Sequence, residues 1–315
     1  MVDKTTNSSL IRSNLWSQEI KEVLQEQLAL DMLIDWVTDF PDGDTLNIPT
    51  MSELSTSNYS EGSQISLESP TSGNFTLTID KYYQTGFGIT DKFKDDSFYV
   101  AKATEKYKAG MLRALMEQKE SDIANLQASQ TASDPNVING FDHRWVAIGT
   151  NNEFTLADFR KAAFVLDKAK VAPSGRVAVI DPSVAYTMTG LDTIYRQDTY
   201  GANRVTADGL SRQNIGSYLG FNVYTSLFLD NALSETIVAT APGSGSNSST
   251  VGIANLFCGG KNSGAETFKG AMRTMPSINN WYDYNTRTEK FHTVIRYGLK
   301  LYRPESLVVV ISEVA

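Results

Sequence analysis

The stretch PDGDTLNIPTMSELSTSNYSEGSQISLESPTSGNFTLTIDKYY, residues 41–83, decides how the rest of the chain is read. Between Asp42 and Asp80 it carries six carboxylates and no lysine or arginine, and eight serines fall within the 22 residues from Ser52 to Gly73. Its ends have the pattern of strands. Leu46 and Ile48 alternate with Thr45 and Asn47, while Phe75, Leu77 and Ile79 alternate with Thr76 and Thr78, so each run has one apolar face. The connection is too long for a tight turn, and structureless connections beyond about 12–15 residues tend to be functional or disordered. The sequence predicts a long hairpin with an acidic, serine-rich tip that cannot bury itself well.

On the N-terminal side, Ile20, Val23, Leu24 and Leu28 fall at helical spacing behind Ser17, a plausible cap, which predicts a short amphipathic helix on a polar arm. On the other side, Asp95 to Ser129 lacks proline and mixes charges with Val100, Tyr107, Met111, Leu115, Ile123 and Leu126. It predicts one helix of roughly 50 Å, a spine rather than an ordinary core element, ended before Pro135. The middle alternates between α and β. TLADFRKAAFVLDKAK is a helix opened by a Thr155–Asp158 capping pair, VAVID a buried strand, and Pro182 the first residue of the next helix. IGSYLGFNVYTSLFL is strand-like with glycines at bends, Ala241–Thr250 is a surface loop, and two strands joined near Arg303-Pro304 close the chain.

Composition narrows the function. The longest aliphatic run, Leu307 to Ile311, is far short of the roughly 20 residues of a membrane-spanning helix. The first residues show neither an apolar core nor a cleavage site, so synthesis and use in a cytoplasm are expected. One cysteine, Cys258, and two distant histidines, His143 and His292, offer neither a disulfide framework nor a His/Cys metal cluster. A net charge of −8 argues against tight binding to nucleic-acid phosphates, although an acidic protein can still enclose DNA.

Catalytic readings fail one by one. Asp181 ends a strand before a helix, where α/β enzymes place carboxylates, but a helix cap explains it as well. FCGGKNSG, residues 257–264, departs from a phosphate-binding loop because Asn262 follows Lys261. Cys258 has no nearby histidine in sequence, which favours a buried inert thiol. Trp281, Tyr282, Tyr284, Phe291, Tyr297 and Tyr302 read as core or interface packing rather than a stacking platform for bases. Glu117, Lys119, Glu120 and Asp122 read as the solvated face of the spine helix. No catalytic constellation and no cofactor site emerge.

The order of parts then carries the identification. Arm helix, acidic hairpin, spine helix, α/β middle and terminal strands, with the segments GDTLNIP, APSGRVAVIDPSVAY, IGSYLGFNVYTS and FHTVIRYGLKLYRPESLVVV, resemble the major capsid proteins of tailed double-stranded DNA viruses. The resemblance implies an α+β fold of the Hong Kong 97 type. It further implies an N-terminal arm at 1–41, an extended loop at 42–90, a peripheral domain from 91–136 and 270–315, and an axial domain at 137–269. A structural role is expected, with no enzymatic activity. The chain would assemble as pentamers and hexamers of an icosahedral virion shell around DNA, formed in the host cytoplasm without a membrane. Scaffolding, portal and decoration proteins would be its partners.

Under that resemblance the extended loop reaches a neighbouring subunit through Glu53, Tyr59, Glu61 and Glu68, and the arm through Trp16 and Leu24. Arg273, Arg287, Lys290 and Arg296 are the basic acceptors, some of them in a three-fold loop at Asn279–Lys290. Replacing Glu53, Glu61 and Glu68 by glutamine is then expected to lower assembly yield. Some members of the resembled family weld the shell with a lysine–asparagine isopeptide bond whose lysine lies on the extended loop; here Lys81 is the only lysine from Asp42 to Thr90 and lies at the hairpin base, so the shell is expected to be noncovalent. About 16 residues precede the first helix, so any scaffold is expected to be a separate protein. An encapsulin-type cargo compartment keeps the fold and changes the contents. A cytoplasmic α/β enzyme or binding protein is the rival from another class.

Overall fold

The computed structural model of the protein describes residues 28–37, 43–51, 54–56, 58, 60–62, 64, 67–96, 100–129, 137–189, 214–231, 235–236, 249–250, 252–261 and 264–312. The expected arm helix with Trp16 and Leu24, and Glu53, Tyr59 and Pro135, lie outside the described residues, as does most of the Ala241–Thr250 loop.

A 3-10 turn at Leu30–Leu33 leads into β1 (Ile34–Val37). Strands β2 (Thr45–Met51) and β3 (Ser72–Thr78) then pair antiparallel, with Thr45 opposite Thr78 and Met51 opposite Ser72. This is the hairpin the alternation predicted. It ends sooner than the expected 42–90 loop, because β4 (Lys81–Thr90) leaves it to join the main sheet. After a short helix at Asp91–Asp96 comes the spine, α1 (Val100–Asn125), whose 26 residues extend about 39 Å. Its last turn tightens into a 3-10 segment at Leu126–Ser129, where the predicted helix was to end.

The α/β part follows: β5 (Arg144–Val146), α2 (Leu156–Lys168), β6 (Arg176–Ile180), α3 (Pro182–Thr189), β7 (Asn214–Tyr218), β8 (Phe221–Thr225) and β9 (Ile253–Cys258). Leu219 and Gly220 turn β7 into β8 with φ of +47° and +84°, a left-handed pair that glycine makes easier. The long antiparallel ribbon β10 (Phe268–Asp283) and β11 (Thr288–Leu301) comes next, and β12 (Leu307–Ser312) ends the described chain. The ribbon shifts register between Met272 and Ser277, the span that holds Pro276, which cannot donate to a ladder.

Two sheets result. One has the order β1-β10-β11-β4, the other β5-β12-β9-β6-β8-β7. Helix α2 packs Phe159, Ala162, Val165 and Leu166 against one face of the six-stranded sheet, with Phe221, Phe257, Val308 and Val310. The opposite face, with Leu256, Val309 and Ile311, takes Leu30, Leu33 and Ile34 from the chain's front and Ile123 and Ala124 from the end of the spine. Higher on the spine, Met111 and Leu115 pack on the four-stranded sheet against Phe291, Ile295 and Tyr297.

The terminal strand departs from the expected division at 270. β12 does not stay with the ribbon but runs between β9 and β5 in the six-stranded sheet, with Ile253 opposite Ser312 and Val309 opposite Arg144. The reason is its composition. An unbroken aliphatic run has two apolar faces and needs cover on both, and only the sheet lying between α2 and the spine provides it.

Candidate assembly interface

The hairpin β2–β3 is seated at its base and bare at its end. Leu77 and Ile79 pack against Ala271 of β10, with Leu46 and Phe75 alongside. Backbone crosses backbone at Gly298 of β11, where a Cβ would overlap the Thr78 carbonyl oxygen. Three cations of the ribbon grip the same base. Arg273 Nη1 donates to Asp44 Oδ1 at 3.0 Å and to the Gly43 carbonyl at 2.5 Å, and Arg296 Nη2 donates to Asp44 Oδ1 at 2.8 Å. Lys300 Nζ donates to the Thr76 carbonyl at 2.7 Å and stands 5.0 Å from the Phe75 ring.

Two of the four cations singled out in the sequence are thus committed within their own chain. Lys290 is a third, paired with Asp283 at 2.6 Å across the turn that closes the ribbon. That lysine, the Thr286 hydroxyl and the Asn285 N–H together bring the Asp283 carboxyl down to about 2. Arg287 lies in the same turn with φ of +48°, and among the described residues its guanidinium has no carboxylate partner. Lys81 opens β4 opposite Tyr297.

At the far end of the hairpin, Ser55 donates from its backbone N–H to Glu68 Oε2 at 2.8 Å and from its hydroxyl to Glu68 Oε1. Those two bonds hold the Glu68 carboxyl below its usual range. Glu61 is exposed beside Gly62, which turns the tip with φ of +81°. Met51, Leu54 and Leu67 are exposed here by 88, 67 and 89%.

The spine helix overturns one expectation. Lys119 and Glu120 are buried, not solvated. Glu120 accepts the Leu30 N–H at 2.7 Å and the Asp31 N–H at 3.2 Å, satisfying donors at the start of the 3-10 turn. Lys119 Nζ meets Asp31 Oδ1 at 2.9 Å, and the Trp36 indole donates to the same oxygen at 3.0 Å. Burial pushes the Glu120 carboxyl up, against the two N–H groups. Asp122 Oδ2 accepts from the hydroxyls of Tyr83 and Tyr297, each at 3.0 Å. A charged helix face became a seam because the chain's front and the sheet bring donors to it.

The remaining sequence candidates have structural explanations. Asp181 Oδ2 accepts the Ser183 N–H at 2.7 Å and the Ser183 hydroxyl at 2.5 Å, so it caps α3. Burial raises the Cys258 thiol to about 12, which leaves it without thiolate character. The Gly259 N–H donates to the Ser306 carbonyl at 3.0 Å and to the Thr267 hydroxyl at 3.2 Å rather than facing a phosphate. The aromatic group divides. Phe291 and Tyr297 are core, whereas Trp281 and Tyr284 are exposed at the ribbon's end.

Sequence reasoning did not find Asp44 or Gly298, and it placed Glu120 on a solvated face. Only Asp44 gave a signal, as the carboxylate next to a predicted strand. Its partners Arg273 and Arg296 become neighbours only once the ribbon's register is known.

No family model and no curated protein matches the sequence. Solved structures do match, over nearly the whole chain. The capsid structure of the Cyanophage P-SCSP1u has a TM-score of 0.74 at 16% identity, with 98% of this chain and 94% of that chain covered. A structure from Mycobacterium phage Che8 has 0.66 at 18%, covering 95% and 97%. The asymmetric unit of the bacteriophage PhiM1 mature capsid has 0.69 at 11%, covering 96% and 92%. The chain therefore has the α+β fold of phage capsid proteins, as the order of its parts implied.

Proposed function

We propose that this chain is a structural shell subunit, the major capsid protein of a tailed double-stranded DNA bacteriophage. The observation that carries this reading is the extent of the fold likeness: it covers 98% and 96% of this chain, not one α/β core shared by many enzymes. The subunits would form pentamers and hexamers in an icosahedral virion shell around DNA, assembled in the host cytoplasm. A separate scaffolding protein, a portal and decoration proteins are the proposed partners. The α/β part around the six-stranded sheet would be the axial domain. The spine and four-stranded sheet would be the peripheral domain, with the Asn279–Lys290 turn near three-fold contacts.

A closed shell needs contacts weak enough to correct errors singly and numerous enough to hold together. The hairpin is suited to such a contact, since much of it is left uncovered by its own chain. Noncovalent closure is part of this proposal, supported by the position of Lys81 at the start of β4, away from the tip. Expression alone and with a scaffold, followed by size exclusion and electron microscopy, tests the reading. Discrete capsomers or shells are expected. A stable monomer under all conditions overturns it, and shells with a copurifying enzyme in place of DNA would assign a cargo compartment.

A further inference from the structure

Lys269 of β10 and Lys300 of β11 stand directly opposite each other, at the end of the ribbon away from its turn. Like charges in that position destabilise a sheet. A third cation, Arg303, joins them just beyond β11. Lys269 Nζ lies 4.6 Å from the centre of the Tyr302 ring and Arg303 Cζ lies 5.3 Å from it. Phe75 meets Tyr302 edge to face at 5.0 Å, and Lys300 Nζ stands 5.0 Å from the Phe75 ring. Three positive charges therefore gather round two touching aromatic rings. Their partners do not balance them. Asp35 meets Lys269 at 3.0 Å, but Glu305 reaches Arg303 only at 3.9 Å, and Lys300 has a carbonyl, that of Thr76, in place of a carboxylate. Among the described residues the Arg303 Nε is buried and donates to nothing, which is costly for a charged donor.

We propose that Lys269, Lys300 and Arg303, gathered round Tyr302, form a binding site for a phosphate group. The surplus of charge extends along the ribbon. Arg273 and Arg296 share the one carboxylate of Asp44, so these five cations meet only the carboxylates of Asp35, Asp44 and Glu305 among the described residues. In a chain with a net charge of −8 this is a local reversal of sign, and it suits a group that carries a charge of about −2. Donors that approach from three separate residues match a tetrahedral oxyanion better than a planar carboxylate with two oxygens, and the arginine fork adds paired N–H groups. A free polyphosphate and a nucleic-acid backbone both supply that group. The overall negative charge repels a long duplex more than a small anion, which feels only the local surplus.

Titration calorimetry of the full chain with sodium tripolyphosphate, at about 0.15 M salt, tests the site. Saturable binding of one anion per subunit is expected. Lys300→Gln with Arg303→Gln is expected to weaken it by about tenfold or more while circular dichroism stays unchanged, since both side chains reach solvent. Lys300→Gln alone is expected to weaken it by about threefold, which keeps the test intact if the double variant fails to fold. Lys92→Gln, an exposed lysine beyond the other end of the ribbon, is expected to bind like wild type. Absence of binding to wild type, unchanged affinity in the Lys300 variants, or an equal loss in Lys92→Gln overturns the site. Citrate that binds as tightly as tripolyphosphate overturns the assignment to phosphate and makes the cluster a carboxylate seat. A duplex of about 20 base pairs that displaces tripolyphosphate supports the site and gives the phosphate a nucleic-acid source, whereas a duplex that does not compete supports it as a site for free anions.

Discussion

Arg296 Nη2 lies 2.8 Å from Asp44 Oδ1 across 252 residues of chain, and Arg273 reaches the same oxygen from the neighbouring strand at 3.0 Å. One carboxylate thus sets where the hairpin leaves the body. Exposed pairs of this kind contribute only about 0–1 kcal/mol each, so the clasp acts on orientation more than on stability. Asp44→Asn is expected to shift melting by no more than a few degrees while raising hydrogen exchange across β2 and β3. Unchanged exchange in those strands would show that Leu77 and Ile79 suffice to hold the angle.

Glu120 separates charge from hydrogen bonding. Removing both acceptors in Glu120→Ala leaves the Leu30 and Asp31 N–H groups without partners, at a cost of about 2–4 kcal/mol. Glu120→Gln keeps one acceptor and removes a buried charge, and is expected to be much milder. The pH dependence follows from direction. The folded carboxyl sits above its ordinary range, so the folded state holds the proton more tightly than the unfolded one, and stability from this group falls as pH rises from the ordinary range through the raised value. The glutamine variant is therefore expected to improve relative to wild type as pH rises above the ordinary carboxylate range in chemical denaturation. A difference constant with pH would contradict the buried charge.

Gly298 has no room for a side chain under the Thr78 carbonyl. Gly298→Ala must push the hairpin base away from β11, a strain of about 1–3 kcal/mol. Thermal denaturation measures the loss. Assembly is expected to fall more than stability does, because the displaced hairpin points elsewhere; equal losses would mean the glycine serves folding alone.

Asp283 ties the ribbon's turn through Lys290, Thr286 and Asn285. Its carboxyl is held low, so the ordering it gives the turn is present above the ordinary carboxylate range and is lost as pH falls toward about 2. Asp283→Asn is expected to loosen residues 284–287 in relaxation measurements at neutral pH, and to match wild type at about pH 2. Tight turns in both proteins at neutral pH would assign the order to the backbone.

Much of the fold was legible because it rests on local pattern. Alternation at Leu46–Ile48 and Phe75–Ile79 marks strands whatever they pair with, and Thr155–Asp158 and Pro182 mark helix starts by chemistry contained in a few residues. The assembly site was less legible. Asp44 looks like an ordinary exposed acid until the ribbon's register brings Arg273 and Arg296 to it. Glu120 looks solvated on a helical wheel, since the donors it serves arrive from 90 residues away.

By itself the sequence determined that residues 41–83 form a strand pair too polar and too long to be a core, that one long helix follows, and that Leu307 to Ile311 is an aliphatic run. Those properties belong to each segment alone, because alternation, the absence of proline and burial preference act over a few residues. Tertiary structure alone decided that the run enters the six-stranded sheet and that Arg273 and Arg296 hold Asp44. Each of those depends on which distant segments meet and in what register, and that is settled by covering apolar faces across the whole molecule.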